Sequence, residues 1–253
     1  MVKKVMLSVL AVVVLICLIQ VVKETILNNP QKVYDSILPG YKYLVDLPIE
    51  EKVYNSQRDV VYDMTYMNLL PLGKVKMSAE EDGNRILLKA AVDIAGYVKR
   101  FYKVEIEIQS LIDKRKFYPL KYSEIINLPD RNKVKEMVYD QDEHIMVRKG
   151  KKYKIPPLTF CPISAFYHLQ TQDFKLGEKH EINIISKEDV YLLKMEAVEK
   201  KGNIFKLKGS VRRRNLSSSH GTDFTLWISE DLRIPLLFKV STEAGSLTGR
   251  LTK

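Results

Sequence analysis

Hydrophobic and polar residues alternate at period two along most of this chain. Val60, Tyr62, Met64 and Tyr66 occupy every second position. Val75, Met77 and Ala79 alternate with Lys74, Lys76 and Ser78, and Val104, Ile106 and Ile108 alternate with Lys103, Glu105, Glu107 and Gln109. Successive side chains of a strand point to opposite faces, so this rhythm predicts strands with one packed and one wetted face. Further strands are predicted at Glu181–Ile185, Val190–Ala197, Ile204–Val211, Asp223–Ile228, Leu236–Val240 and Ser246–Leu251. Turn residues separate them: Asp82-Gly83-Asn84, Lys201-Gly202-Asn203 and Glu243-Ala244-Gly245. Strands about ten residues apart with tight turns predict an antiparallel meander, not alternating strands and helices.

Helical spacing is scarce. One candidate is Ile94–Phe101. The other is Pro162–Gln170, where Ile163, Phe166, Tyr167 and Gln170 share a face and Pro162 suits the first turn. The reading is therefore an all-β fold, mainly antiparallel, as a curled sheet or open barrel with one or two short helices.

The start of the chain follows a different pattern. Val5–Val22 is an apolar run broken only by Ser8 and Gln20, with Lys3 and Lys4 before it and Lys23 after it. About 18 apolar residues suffice to cross a hydrocarbon core as a helix. The run exceeds the roughly 7–15 residues of a cleavable signal, and no small-x-small site follows it. It predicts an uncleaved N-terminal transmembrane helix, with the basic end inside and the rest exported. Residues 1–23 are then a membrane anchor or signal, 24–56 a stalk punctuated by Pro30, Pro39 and Pro48, and 57–253 the antiparallel domain.

Composition sharpens this picture in two ways. Of the two cysteines, Cys17 lies in the apolar run, so Cys161 has no intrachain partner in the exported part and core burial must hold the fold. The net charge is +10, with basic clusters at Lys114-Arg115-Lys116, at Lys149, Lys151, Lys152 and Lys154, and at Arg212-Arg213-Arg214. Such clusters attract anionic surfaces, but they also mark solvated strand ends and turns. An exported domain rarely meets nucleic acid, so no nucleic-acid partner is expected.

Candidate chemistry is sparse. The chain has no nucleophile elbow, phosphate-cradling glycine loop or dinucleotide fingerprint. Its four histidines show no metal-binding spacing, so no metal and no cofactor are expected. Ser217, His220 and Asp223 are the right types for a triad, but neighbours along one polar loop do not orient each other. Asp140, Asp142 and Glu143 lack the glycine bend of a calcium loop and read as a hairpin turn. No catalytic residue is assigned. Tyr62, Tyr66, Tyr97, Phe101, Tyr102, Tyr118, Tyr122, Phe166, Tyr167 and Trp227 either fill the core or line a cavity of the curled sheet. Trp227, Tyr167, Phe166 and Tyr66 are the candidate ligand-binding residues.

Several segments match one another's order in a known family. They are Asp59–Tyr66 followed by Pro71-Leu72-Gly73, and Gln109–Asp113 with Phe117-Tyr118-Pro119-Leu120. Pro162–Thr171, Leu226–Pro235 and Gly245–Leu251 complete the set. Together, from about Arg58 to Lys253, they resemble a bacterial family of exported proteins known as domain of unknown function 3108. The resemblance implies an exported all-β domain, similar in kind to curled sheets that shield lipid-like ligands, and it implies no reaction. Cys161 stands where the family usually has Asp, and Gln170 where it usually has Arg. An ion pair between those positions in relatives would be absent here, and joint loss fits a structural role because a lone buried charge is costly.

Two functional expectations follow. One is a non-enzymatic cell-envelope protein, tethered by its leader to the inner membrane and facing the periplasm, that binds a lipid-like or other amphipathic ligand. The other is a structural or assembly partner of another envelope protein, with a solid core and strand edges that recruit it.

Overall fold

A computed structural model describes residues 59–96, 99, 104–214, 221–242 and 245–252. The apolar run and the stalk, with the transmembrane helix expected there, lie outside the described residues. So do most of the helix expected at Ile94–Phe101 and the loop that carries Ser217 and His220. Ile94 itself ends a strand.

Among the described residues, fifteen strands form one sheet. The first eight are β1 Val60–Tyr66, β2 Leu70–Asp82, β3 Arg85–Ile94, β4 Glu105–Asp113, β5 Pro119–Asn127, β6 Asn132–Asp140, β7 Ile145–Arg148 and β8 Lys151–Lys154. After β9 Thr159–Phe160 comes the helix α1, Pro162–Leu169. Then follow β10 Lys179–Ser186, β11 Asp189–Lys201, β12 Ile204–Arg213, β13 Thr222–Ser229, β14 Pro235–Thr242 and β15 Gly245–Leu251. The spatial order runs from β8 down to β1, continues with β15, and descends to β9. First and last strands therefore pair at the centre, Tyr62 opposite Leu251 and Tyr66 opposite Leu247. Every pairing is antiparallel except β9 with β10.

This order forces curvature. Laid flat, fifteen strands would hold the two edges about 65 Å apart at roughly 4.8 Å per step. Yet β8 ends at Lys154 and β9 begins at Thr159, and five residue steps reach at most about 17 Å. The sheet must curl until its edges nearly meet. It stays open, but side chains clasp the seam. Arg148 of β7 pairs with Glu188 after β10, and Tyr153 Oη donates to the same carboxylate at 3.2 Å. Asn183 Nδ2 donates to Pro157 O at 3.2 Å, and Gln141 Nε2 to Thr159 O at 2.7 Å.

Inside the curl, α1 packs against β3, β4, β9 and β10. Pro162, Ile163, Ser164, Ala165, Phe166 and Leu169 are all buried. Cys161 is its N-cap: the Cys161 N–H donates to Ser164 Oγ at 3.0 Å, and Cys161 Sγ lies 3.1 Å from the same oxygen. Burial pushes the thiol's pKa up, partly offset by its hydrogen bonding with Ser110 and Ser164, which leaves it a poor nucleophile. Gln170 is the C-cap. Positions 161 and 170 are thus at opposite ends of the helix, about 13 Å apart along its axis. The direct ion pair considered for relatives does not fit this backbone. An Asp at position 161 is better understood as an N-cap.

The strands expected from period two are present. Missed were β3 and β5 to β9. In β5 and β6 the inward positions carry Glu124 and Lys135, an ion pair at 3.1 Å with both side chains largely buried. Charge on the packed face hides the alternation. The basic run after Lys149 forms β8, whose lysines mark an exposed edge, a common defence against strand addition. Lys114–Lys116 lies in the turn after β4. Asp140 Oδ1 accepts from the Glu143 N–H at 3.0 Å, as expected of a hairpin turn.

Candidate functional site

Trp227, the chain's single tryptophan, does not face the interior. Along β13, Phe224, Leu226 and Ile228 are buried while Thr225 and Trp227 turn outward. Strand register then builds a row across the outer face. Trp227 lies opposite Lys206 and Leu237, and Leu237 opposite Arg250. Arg250 is opposite Asp63, Asp63 opposite Lys74, and Lys74 opposite Asp93. A second row runs beside it through Thr225, Lys239, Thr248 and Thr65.

A bulge shapes the floor. Register slips between Met64 and Thr65, beside Gly73 with φ of 139°. A Cβ on Gly73 would sit 2.1 Å from the Asp93 carbonyl oxygen, so only glycine permits this approach of β2 to β3. The chain leaving β3 forms a wall, anchored where the Ala95 N–H donates to Leu72 O at 2.9 Å. The result is a groove of about 730 Å³, lined by Trp227, Leu237, Ile94, Pro71 and Ala95, and by four cations and two carboxylates.

The electrostatics are unbalanced. Lys99 Nζ lies 2.7 Å from Asp93 Oδ1, and this hydrogen bond lowers the Asp93 pKa. Lys74 Nζ lies 3.3 Å from Asp63 Oδ1, off hydrogen-bonding alignment. Lys206 stands 5.9 Å from the Trp227 ring centroid, at the outer limit of a cation–π contact, and is shared with Glu199 at 3.0 Å. Lys239 and Arg250 have no carboxylate partner among the described residues. The groove thus combines an apolar, aromatic floor with two uncompensated positive charges.

The other candidate residues lie on the opposite side of the sheet. Phe166 is buried on α1, edge-on to Tyr62 at 6.1 Å. Tyr167 packs near Phe117 at 6.2 Å. Tyr66 closes β1 on the inner face, its ring against Gly245. The sheet brings these three to the core side and separates them from Trp227. Arg250, Lys239, Asp63, Lys74 and Leu237 were not foreseen. Outward placement by period two was the one signal for them, and it does not distinguish them from other solvated positions.

A third polar cluster lies in the core. Tyr122 Oη donates to Glu124 at 2.6 Å, and burial followed by that carboxylate pushes its pKa well up. Ser110 Oγ donates to Lys121 O at 3.2 Å and lies 3.3 Å from Cys161 Sγ. These bonds satisfy buried groups around the helix N-terminus. Among the described residues, no group of three or more His, Cys, Asp or Glu could hold a metal ion.

No curated protein matches this chain. Solved structures similar to it include a β-barrel-like protein of domain of unknown function DUF1849 from Brucella abortus. It is 10% identical, with 77% of this chain and 95% of that one covered and a TM-score of 0.48. Another is a DUF1089 family protein from Pseudomonas aeruginosa, 5% identical, covering 64% of this chain and 87% of that one at a TM-score of 0.38. The sequence model described as "Protein of unknown function (DUF3108)" matches residues 61–252, which spans every strand except the first residue of β1, and the chain belongs to that family.

Proposed function

We propose that this chain is a non-enzymatic protein of the cell envelope, held to the inner membrane by Val5–Val22 with its β domain in the periplasm, and that it binds an anionic amphiphile. The observation that carries the reading is the outer groove: Trp227 and Leu237 on its floor, Lys239 and Arg250 unpaired beside them. An apolar chain or ring would cover Trp227 and Leu237, and a phosphate or carboxylate would meet the two cations. The interior is a less suitable place, because α1 and the inward side chains pack there as core. Recruitment by strand addition has less support. The β8 edge is four residues long and carries three lysines, and the β9 edge has two residues.

The single tryptophan makes the test direct. The full chain in non-ionic detergent is titrated with dodecyl phosphate below its micellar range while Trp227 emission is followed. A blue shift that saturates, and that is lost in the K239E/R250E variant, is the expected result. Native mass spectrometry of the same preparation should show a co-purifying anionic lipid. An unmoved emission spectrum together with a ligand-free mass would overturn the proposal.

A further inference from the structure

The turn between β1 and β2 spends backbone strain on an exposed apolar residue. Met67 has φ of 51° and Asn68 φ of 57°, and the Leu69 N–H donates to Tyr66 O at 3.0 Å. Two successive left-handed residues within this three-residue loop make a turn of the type that favours Asn or Gly at both central positions. Asn68 fits that rule. Met67 does not, because a side chain in the left-handed region crowds its own backbone. Leu158 shares a left-handed φ and an exposed apolar side chain, so what sets Met67 apart is its place beside the groove. Met67 is 47% exposed and Leu69 55% exposed.

The turn is also held firmly. The Met67 N–H donates to Ser246 O at 2.7 Å, and Thr248 Oγ1 donates to Asn68 Oδ1 at 2.6 Å. Asn68 and Thr248 both line the groove. Two apolar side chains therefore project into water from the rim of a groove that carries uncompensated Lys239 and Arg250. Apolar prongs with cations behind them are the chemistry of binding at an anionic membrane interface: the prongs enter the acyl boundary and the cations meet head groups.

We infer that this rim docks on an anionic lipid surface, Met67 and Leu69 entering it, so that the groove opens onto the leaflet and an amphiphile moves between the two without crossing water. The inference rests on the groove reading above and extends it to how the ligand arrives. Neither Met67 nor Leu69 lines the groove, which allows the two ideas to be separated.

The full chain is reconstituted into nanodiscs whose phosphatidylglycerol carries brominated acyl chains, and quenching of Trp227 is measured. Wild type should be quenched, and equivalent discs of brominated phosphatidylcholine alone should quench it much less. M67G/L69S should lose the quenching while keeping the dodecyl phosphate response and a melting temperature no lower than wild type. M67G fits the turn better, so misfolding is not the expected cause of that loss. Undiminished quenching in M67G/L69S, or equal quenching by the two lipids, overturns docking. Loss of the dodecyl phosphate response in wild type overturns the groove reading instead.

Discussion

On the inner face of β14, Phe238 lies across Gly249 of the neighbouring strand and meets the Tyr62 ring at 5.5 Å. One residue earlier, on the outer face, Leu237 stands beside Trp227 with Arg250 opposite. The two faces use similar residue types under opposite constraints. Inside, the rings need space close to the backbone, and glycine supplies it twice. Gly249 faces Phe238, and Gly209 faces Phe224, where an added Cβ would approach the ring to 2.4 Å. Outside, Trp227 and Leu237 are only partly covered, and charged neighbours surround them. Full packing makes the inner aromatics structural. Incomplete covering makes the outer pair available for binding.

The sharpest test of that contrast pairs one residue from each face. Phe166→Ala should cost about 3–5 kcal/mol, the usual range for removing a buried aromatic side chain. Trp227→Ala should cost less, about 1–2 kcal/mol, because the ring is only partly buried and its loss leaves no closed cavity. Urea denaturation followed by far-ultraviolet circular dichroism compares them. Equal losses would erase the distinction between the faces.

Gly249→Ala should come next, at about 1–3 kcal/mol, since its Cβ would lie 2.1 Å from Phe238 Cζ. Phe238→Leu costs stability alone, but it should remove part of the Gly249→Ala penalty. A double-mutant cycle with coupling near zero would show that the ring is free to move aside.

Smaller and of opposite sign, Met67→Gly should stabilise the domain by about 0.5–1 kcal/mol by relieving the left-handed conformation. A fall in melting temperature would mean that Met67 packs more than it strains.

The smallest expected effect is a pH dependence at the exit of α1. His168 stacks on Phe160 at 4.5 Å and its Nδ1 is buried without a hydrogen-bond partner. Burial, followed by nearby His180, lowers its pKa. The charged groups there are Glu178, 3.8 Å from His180, and the Arg233–Asp173 pair beside Gln172. The unfolded chain binds the proton more readily, so this contribution is full above about pH 6.5 and declines as pH falls toward the folded value. His168→Gln should flatten the stability profile through that window. An unchanged slope would place the pH sensitivity elsewhere.

How far the fold could be read along the chain depended on what each strand buries. β4 was legible because Ile106 and Ile108 face inward between the polar Glu105, Glu107 and Gln109. β5 and β6 were not, because Glu124 and Lys135 neutralise each other on the inward face. A charge that is acceptable only with its cross-strand partner looks solvated until that partner is known. Trp227 was singled out, but its side of the sheet was not. Its partners Arg250 and Asp63 lie 187 positions apart and meet only because β15 closes onto β1.

Alternation, turn residues and the one proline-led helix were sufficient to specify antiparallel strands around an apolar core, because each depends on neighbours a few residues away. Pairing of the first strand with the last, curling of the sheet around α1, and assembly of a cationic groove over Trp227 were decided by tertiary structure. Those depend on register between distant strands, and register sets which side chains share a face only once the chain has folded back on itself.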